Sequence, residues 1–331
     1  MKFLKTNLPM PSSVITGAIG MKQVGKSLFA YEQGYPIVKE EGGEVVYYDT
    51  EEPDDFMFTV EIEKDNELGM EAHKAWKEVF AAKYGIQPTI NYTYVPNVEE
   101  MMALIGVYGK VIITEAKEGT PRELVQRKKE SAEDFTKRQE EAKKKADEKE
   151  KEKGVKYEFK PYKVDTENSA FNKLINEKDI RYVVFDSITV FNTLAQGGRQ
   201  NLGLRSQTEE SFFSTIKELC AKRKAKTGKP IYVFTTNHVS FDPTDRFSFM
   251  DEISLHEKGG KTIGHTHKVL FGLKKKTTPH GAREMVLIRY PNLPEYGYRL
   301  PLLITDEGFQ NTTLDILKDV KEEQKAEARG E

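Results

Sequence analysis

In the segment GMKQVGKS, Gly20 and Gly25 stand five positions apart, and Lys26 and Ser27 follow the second glycine. That G-x-x-x-x-G-K-[ST] spacing suits the binding of a phosphate chain. Glycines let backbone N–H groups turn inward onto phosphate oxygens, and a helix starting at the loop's end adds its partial positive charge. Lys26 can neutralise charge on β- and γ-phosphates, and the Ser27 hydroxyl oxygen can enter the shell of a Mg²⁺ ion bound with ATP. Lys22 and Gln23 read as incidental to the loop.

Splitting a bound triphosphate asks for further side chains, and the sequence offers them at the ends of apolar runs. Asp186 closes YVVFDS, at the carboxyl edge where open α/β sheets bind ligands. It reads as holding the water shell of the Mg²⁺, or alternatively as a helix cap together with Ser187. VVYYDTEE ends in Asp49, Glu51 and Glu52. A general base must lie within one water of the γ-phosphate, and Glu51 is the best candidate, with Asp49 and Glu52 open to a turn or capping role. YVFTTNH ends in Asn237 and His238. His238 reads as a contact that reports the γ-phosphate to the following loop, or as a hydrogen-bonded structural histidine.

These positions need a scaffold that brings several strand ends to one edge. SSVITGAIG reads as a strand, KSLFAYEQGYPIVKE as a helix and GGEVVYYDTEE as a strand. INYTYVP is a further strand and NVEEMMALIGVYG a helix. IRYVVFDS and KPIYVFTTNH are short apolar strands separated by the amphipathic helix EESFFSTIKELCAKRKAKTG. Strands alternating with helices predict an α/β fold with a mostly parallel sheet covered on both faces. HKVLFGLKKK, EMVLIRYPN and YRLPLLITDEGF predict C-terminal antiparallel strands that extend it.

One segment breaks the alternation. From about Glu115 to Lys160 the chain is dominated by Lys and Glu, and residues 121–153 read as one long, mostly polar helix held by i,i+4 charge pairs. At about 1.5 Å per residue it would extend some 45–50 Å. The flanking stretches KVIITE and VKYEFKPYKV are able to pair as the base of a projecting arm. Either a solvated surface insertion or a partner-binding arm accounts for its composition. The division expected is a core in two parts, 1–110 and 166–312, interrupted by the 111–165 insertion and followed by a charged tail at 313–331.

Composition narrows the class. The 331 residues carry a formal net charge of −2, so any nucleic-acid contact must come from a local patch. Charged residues make up 31%, above the usual quarter, and much of the excess lies in the insertion. The single cysteine, Cys220, excludes an intramolecular disulfide framework and a cysteine-based zinc site. With no apolar run of roughly 18 residues and no apolar core in MKFLKTNLPMPSS, a soluble cytoplasmic protein without membrane contact is expected.

Taken in order, the strand ends resemble those of the RecA/RadA recombinase ATPases, specifically the archaeal-eukaryotic branch. YYDTEE is similar to that branch's Asp-Thr-Glu, whose glutamate activates water, which implies Glu51; VVFDS is similar to the second nucleotide motif. TTNH resembles a strand end that usually reads Thr-Asn-Gln, so His238 replaces the customary glutamine. GGRQNLGLRSQ resembles the first DNA-binding loop, whose two arginines six positions apart correspond to Arg199 and Arg205. EKGGKTIGHTHKVLFGLKKK resembles the end of the second DNA-binding loop, with Gly259, Gly260 and His265; the resemblance implies that His265 reaches the nucleotide of a neighbouring subunit. RYPNLPEYGYRLPLLITDEGF is similar to the cap over the adenine of the adjacent protomer, with Pro291 and Pro294 matching and Arg289 where an acid is usual. The resemblance covers roughly residues 10–106 and 168–310. It implies a RecA-like P-loop NTPase that binds ATP and Mg²⁺ at the interface of a homo-oligomer.

Only 19 residues precede Gly20, so a helix-hairpin-helix domain and a Phe-x-x-Ala tether are not expected ahead of it. A minimal RadB-like paralogue or a viral or plasmid RecA-like ATPase fits this better than a main strand-exchange enzyme. The expected partner is DNA, single-stranded, in recombination, repair or replication. Arg199 and Arg205 suit a phosphate backbone, and SFDPTDRFSFMDE offers Arg246 with Phe241, Phe247 and Phe249 for base stacking. Asp242, Asp245, Asp251 and Glu252 in the same stretch repel phosphates, and those phenylalanines suit core packing equally. Lys274–Lys276 suit either a phosphate backbone or a solvated turn. Two rivals stand beside this reading: a hexameric motor or KaiC-like switch, and a low-turnover, ATP-regulated scaffold that recruits a recombination or replication protein through residues 116–160.

Overall fold

The structure is a computed structural model and describes residues 8–12, 14–21, 23–51, 76–114, 140, 156–195, 201–240, 256–257, 266–276, 279, 281–294, 298–305, 307–313 and 316. Its first apolar run forms β1 (Ile15–Gly20), buried along its whole length. Helix α1 (Lys26–Glu41) follows and leads to β2 (Glu44–Asp49). Helix α2 (Trp76–Tyr84), β3 (Ile90–Tyr94) and α3 (Val98–Leu104) come next, with the Asn97 side chain accepting the Glu100 N–H at the start of α3. The run VYG, expected at the end of that helix, instead opens β4 (Val107–Thr114), because Gly106 turns the chain at φ 80°.

The two β-prone stretches that flank the charged insertion do pair. β4 and β5 (Lys156–Val164) form a two-stranded antiparallel sheet, from Val107 opposite Val164 to Thr114 opposite Lys156. Of the polar helix expected between them, residues 121–139 and 141–153 lie outside the described residues, and Glu140 is helical. The chain continues through α4 (Ala170–Glu177), β6 (Ile180–Asp186), a 3-10 helix (Ile188–Ala195) and α5 (Asn201–Thr227). It ends with β7 (Tyr232–Ser240), β8 (His256–Glu257), β9 (His267–Lys275), β10 (Ala282–Arg289), β11 (Tyr298–Thr305) and β12 (Gly308–Asn311).

The central sheet has the order β12-β11-β10-β9-β1-β7-β6-β2-β3, with β8 on β7. The strands from β9 to β3 run parallel. β10, β11 and β12 extend the sheet antiparallel from β9. Strand alternation divides the core between two faces. On β6, Tyr182 and Val184 join Phe29, Tyr35 and Phe271 under α1, whereas Ile180, Val183 and Phe185 join Phe171, Phe212 and Phe213 under α4 and α5. The β4–β5 hairpin packs on the second face, where Phe159 and Val107 are buried and Val111 lies against the same cluster. No helix among the described residues is long and apolar enough to cross a membrane.

Candidate functional site

Register in the sheet brings the chemically distinctive residues into one row at the carboxyl ends of the parallel strands. Gly20 of β1 lies beside His238 of β7, and Asp49 of β2 lies beside Asp186 of β6. Beyond β1 the loop enters α1 through Gly25 at φ 98°, a left-handed conformation that suits glycine. A Cβ at Gly25 would lie 2.8 Å from the Phe309 ring, and one at Gly20 2.6 Å from the Leu273 carbonyl oxygen. The loop is therefore seated closely against β9 and β12. Arg283 of β10 fastens it further, donating from Nε to the Val24 carbonyl at 3.0 Å. No side chain caps the start of α1, and its first turn carries no acid. That leaves its backbone N–H groups and positive end suited to an anion.

Lys26 is 7% exposed and folds back across the loop. Its Nζ donates to the Met21 carbonyl at 2.7 Å and approaches His238 Nδ1 at 3.4 Å. An ammonium group only donates, so Nδ1 is the accepting nitrogen and Nε2 carries the proton. Nε2 then donates to Glu51 Oε1 at 3.0 Å. Lys26, His238 and Glu51 thus form a hydrogen-bonded chain from the loop between β1 and α1 to the acid after β2. The Ser187 hydroxyl also donates to Glu51, at 3.3 Å. The His238 hydrogen bond is the main cause that holds the Glu51 carboxyl below its ordinary range, aided by the Lys26 charge.

The second acidic position lies deeper. Asp186 is buried, and its two oxygens accept from the Tyr47 and Thr236 hydroxyls. Asp49 accepts from the Tyr92 hydroxyl at 2.9 Å and from the Glu51 N–H at 3.0 Å. Burial first, and the neighbouring Asp186 charge second, push the Asp49 carboxyl up to about 7. Thr50 laces the two strand ends together, donating to the Ser187 carbonyl at 2.7 Å and accepting the Ser187 N–H at 3.0 Å.

Of the residues read from sequence, Gly20, Gly25, Lys26, Ser27, Glu51, Asp186 and His238 come to this edge. Pro291 and Pro294 do not. β10 runs antiparallel to β9, so the exposed turn after it lies at the opposite edge of the sheet. Arg205 requires a correction. The segment read as a glycine-rich loop is helical from Asn201, and Arg205 lies inside α5, 3% exposed, donating from Nε to Glu209 at 2.8 Å. A side chain enclosed in that way does not face a DNA strand. Arg199, Arg246, Phe247 and His265 lie outside the described residues. Lys276 pairs with Glu284 at 3.4 Å within the β9–β10 hairpin, in keeping with a solvated turn there.

Sequence reading missed Tyr47, Tyr92 and Thr236, which hold the carboxylates, and Arg283, which holds the loop. Strand parity could have found two of them: Tyr47 and Thr236 lie two residues before Asp49 and His238 and so share their faces. It also missed His267, a buried histidine whose Nε2 and Nδ1 lie 2.7 and 3.1 Å from the Thr235 and Thr266 hydroxyls.

Among the described residues no group of three or more His, Cys, Asp or Glu side chains is arranged to hold a metal by itself. An ion of the magnesium kind keeps several waters and takes one or two protein contacts alongside substrate phosphates. Ser27, half-buried at the start of α1, and Asp186, whose two hydrogen-bonded oxygens retain lone pairs, are residues of that kind. No protein-family model matches this chain, and no curated protein matches it.

Proposed function

We propose that this chain is a RecA-like P-loop ATPase that binds ATP with Mg²⁺, hydrolyses it and acts on single-stranded DNA in recombination, repair or replication. The observation that carries the nucleotide half is the hydrogen-bonded chain from Lys26 through His238 to Glu51, beside an uncapped helix start and the paired acids Asp49 and Asp186.

In this reading the loop N–H groups and Lys26 hold the phosphates. Lys26 leaves the Met21 carbonyl and His238 Nδ1 for the β/γ-phosphate oxygens. Glu51, kept ionised by its hydrogen bonds, orients and deprotonates the attacking water. His238 loses its contact to Lys26 as the phosphate takes that cation, and retains Glu51 through Nε2, so phosphate occupancy is felt at the end of β7. Ser27 and Asp186 would hold Mg²⁺, which when bound neutralises charge developing between the β- and γ-phosphates. Pro291 and Pro294 lie on the far edge from this chain's own phosphate loop, and in this reading they contact a second copy.

The test is ATP turnover of the full chain with and without a single-stranded oligonucleotide, with particle size measured on the same samples. Lys26→Ala is expected to abolish turnover, and full turnover by that variant would overturn the site. Turnover unaffected by the oligonucleotide, from ring-shaped particles, would favour a motor or switch of another kind.

A further inference from the structure

The β4–β5 hairpin is foreign to the nucleotide edge, and its outer face has a composition of its own. One face of the hairpin is anchored in the core by Phe159, Val107 and Val111. Alternation turns Tyr108, Lys110 and Ile112 of β4 outward, and opposite them stand Lys163, Lys160 and Glu158 of β5. Lys160 and Lys163 are 53% and 61% exposed at their side chains, and Tyr162, at the register shift between them, is 71% exposed.

Two observations go beyond a solvated strand. Lys110 and Lys160 face each other directly across the two strands. Like charges in that position destabilise a hairpin unless an anion lies between them. Second, the lysines lie near aromatic rings: Lys163 Nζ sits 5.2 Å from the centre of the Tyr108 ring, and Tyr162, its neighbour in the chain at the register shift, is exposed. Among the described residues, two acids pair with these lysines. Glu158 reaches Lys160 at 4.0 Å, and Asp165, at the hairpin's base, reaches Lys163 at 3.8 Å. A line of cations with rings near them is complementary to a phosphate backbone whose bases are free to stack, which is a single-stranded nucleic acid.

We infer that the outer face of the β4–β5 hairpin is a single-strand-binding surface, with Lys110, Lys160 and Lys163 contacting phosphates and Tyr162 stacking on a base. It rests on the DNA-binding half of the proposed function and not on ATP turnover. It also replaces Arg205 as the cationic contact, since that arginine is enclosed.

The test uses the full chain and a fluorescent single-stranded oligonucleotide, titrated at several salt concentrations. Each phosphate contact on a single strand contributes about 0.7 to the slope of log K against log salt. Lys110→Gln, Lys160→Gln and Lys163→Gln together should flatten that slope by about 2 and weaken binding about 100-fold at roughly 0.1 M salt. The three corresponding Lys→Arg changes should keep the affinity, and Tyr162→Ala should lose about tenfold. All positions are exposed, and unchanged far-ultraviolet circular dichroism confirms that the variants fold. Wild-type binding matched by the triple Gln variant across the salt range overturns the surface while leaving a DNA partner in place elsewhere. No binding by the wild type overturns both this surface and the DNA half of the proposed function. Salt-sensitive binding through the hairpin without ATP turnover supports the surface and removes only the ATPase reading.

Discussion

Asp49→Asn tests the paired carboxylates at the heart of the site. Asp49 is 4% exposed and lies in register with Asp186. Burial and that neighbouring charge raise it from an ordinary 3.8 to about 7. Between those values the folded chain keeps a proton that the unfolded chain has released. The unfolded state therefore binds fewer protons, and the free energy of unfolding falls as pH rises through this window. A separation of about three units at about 1.4 kcal/mol each puts the loss at about 4 kcal/mol. Asparagine has no proton to release. Its carbonyl oxygen still accepts the Glu51 N–H, and its amide is able to donate to the Tyr92 hydroxyl oxygen or to Asp186. Urea unfolding followed through Trp76, the single tryptophan, in EDTA from about pH 4 to 8 should show wild-type stability declining more steeply than the variant's, which keeps only the decline due to groups such as the buried Glu209. Above about pH 7 the variant should be the more stable of the two. Parallel pH profiles would refute the argument, because they would mean that Asp49 is ionised in the fold at no cost.

Three other outcomes are expected. Glu51→Gln should lower ATP turnover by about 10²- to 10⁴-fold and leave ATP binding intact, read by single-turnover kinetics and nucleotide titration; undiminished turnover would remove Glu51 as the base. Arg205→Ala should lower stability by about 3 kcal/mol, because it leaves Glu209 buried without its cation, while oligonucleotide affinity stays unchanged. The reverse pattern would restore Arg205 as a DNA contact. Phe159→Ala should cost about 3 kcal/mol by opening a cavity beneath the hairpin. Hydrogen exchange should speed up in β4 and β5 and stay slow in β1 and β7, and protection retained in the hairpin would show that Phe159 does not anchor it.

The glycine turn between β1 and α1 and the strand ends were legible because their signals are local. Glycine spacing, a short apolar run and a terminal acid sit within a few residues, and parallel strands place such ends on one edge. The hairpin was legible too, since KVIITE and VKYEFKPYKV are β-prone on their own. Asp49 was less so. Turn and capping roles were open to it in sequence, and its raised carboxyl comes first from burial and then from registering with Asp186, a neighbour 137 positions away in the chain. The Tyr47 and Thr236 hydroxyls escaped notice for a related reason: a hydroxyl in a strand carries no mark of the partner it will meet.

Arg205 and the hairpin lysines show where reading charge from sequence fails. The resemblance of GGRQNLGLRSQ to a DNA-binding loop puts Arg205 in a loop, but Leu202, Leu204 and the run from Glu209 to Cys220 favour a helix. Once α5 begins at Asn201, the rotation of about 100° per residue decides what each side chain meets, and it turns Arg205 and Glu209, four apart, to the same enclosed side. The lysines of β4 and β5 follow the opposite logic. In VKYEFKPYKV they read as ordinary solvation, yet pairing sets Lys110 against Lys160 on a face that the core cannot reach. An arginine is withdrawn from solvent when a helix supplies its counter-ion, whereas lysines set opposite one another on an open strand face stay exposed, with Lys160 and Lys163 only loosely paired to Glu158 at 4.0 Å and Asp165 at 3.8 Å.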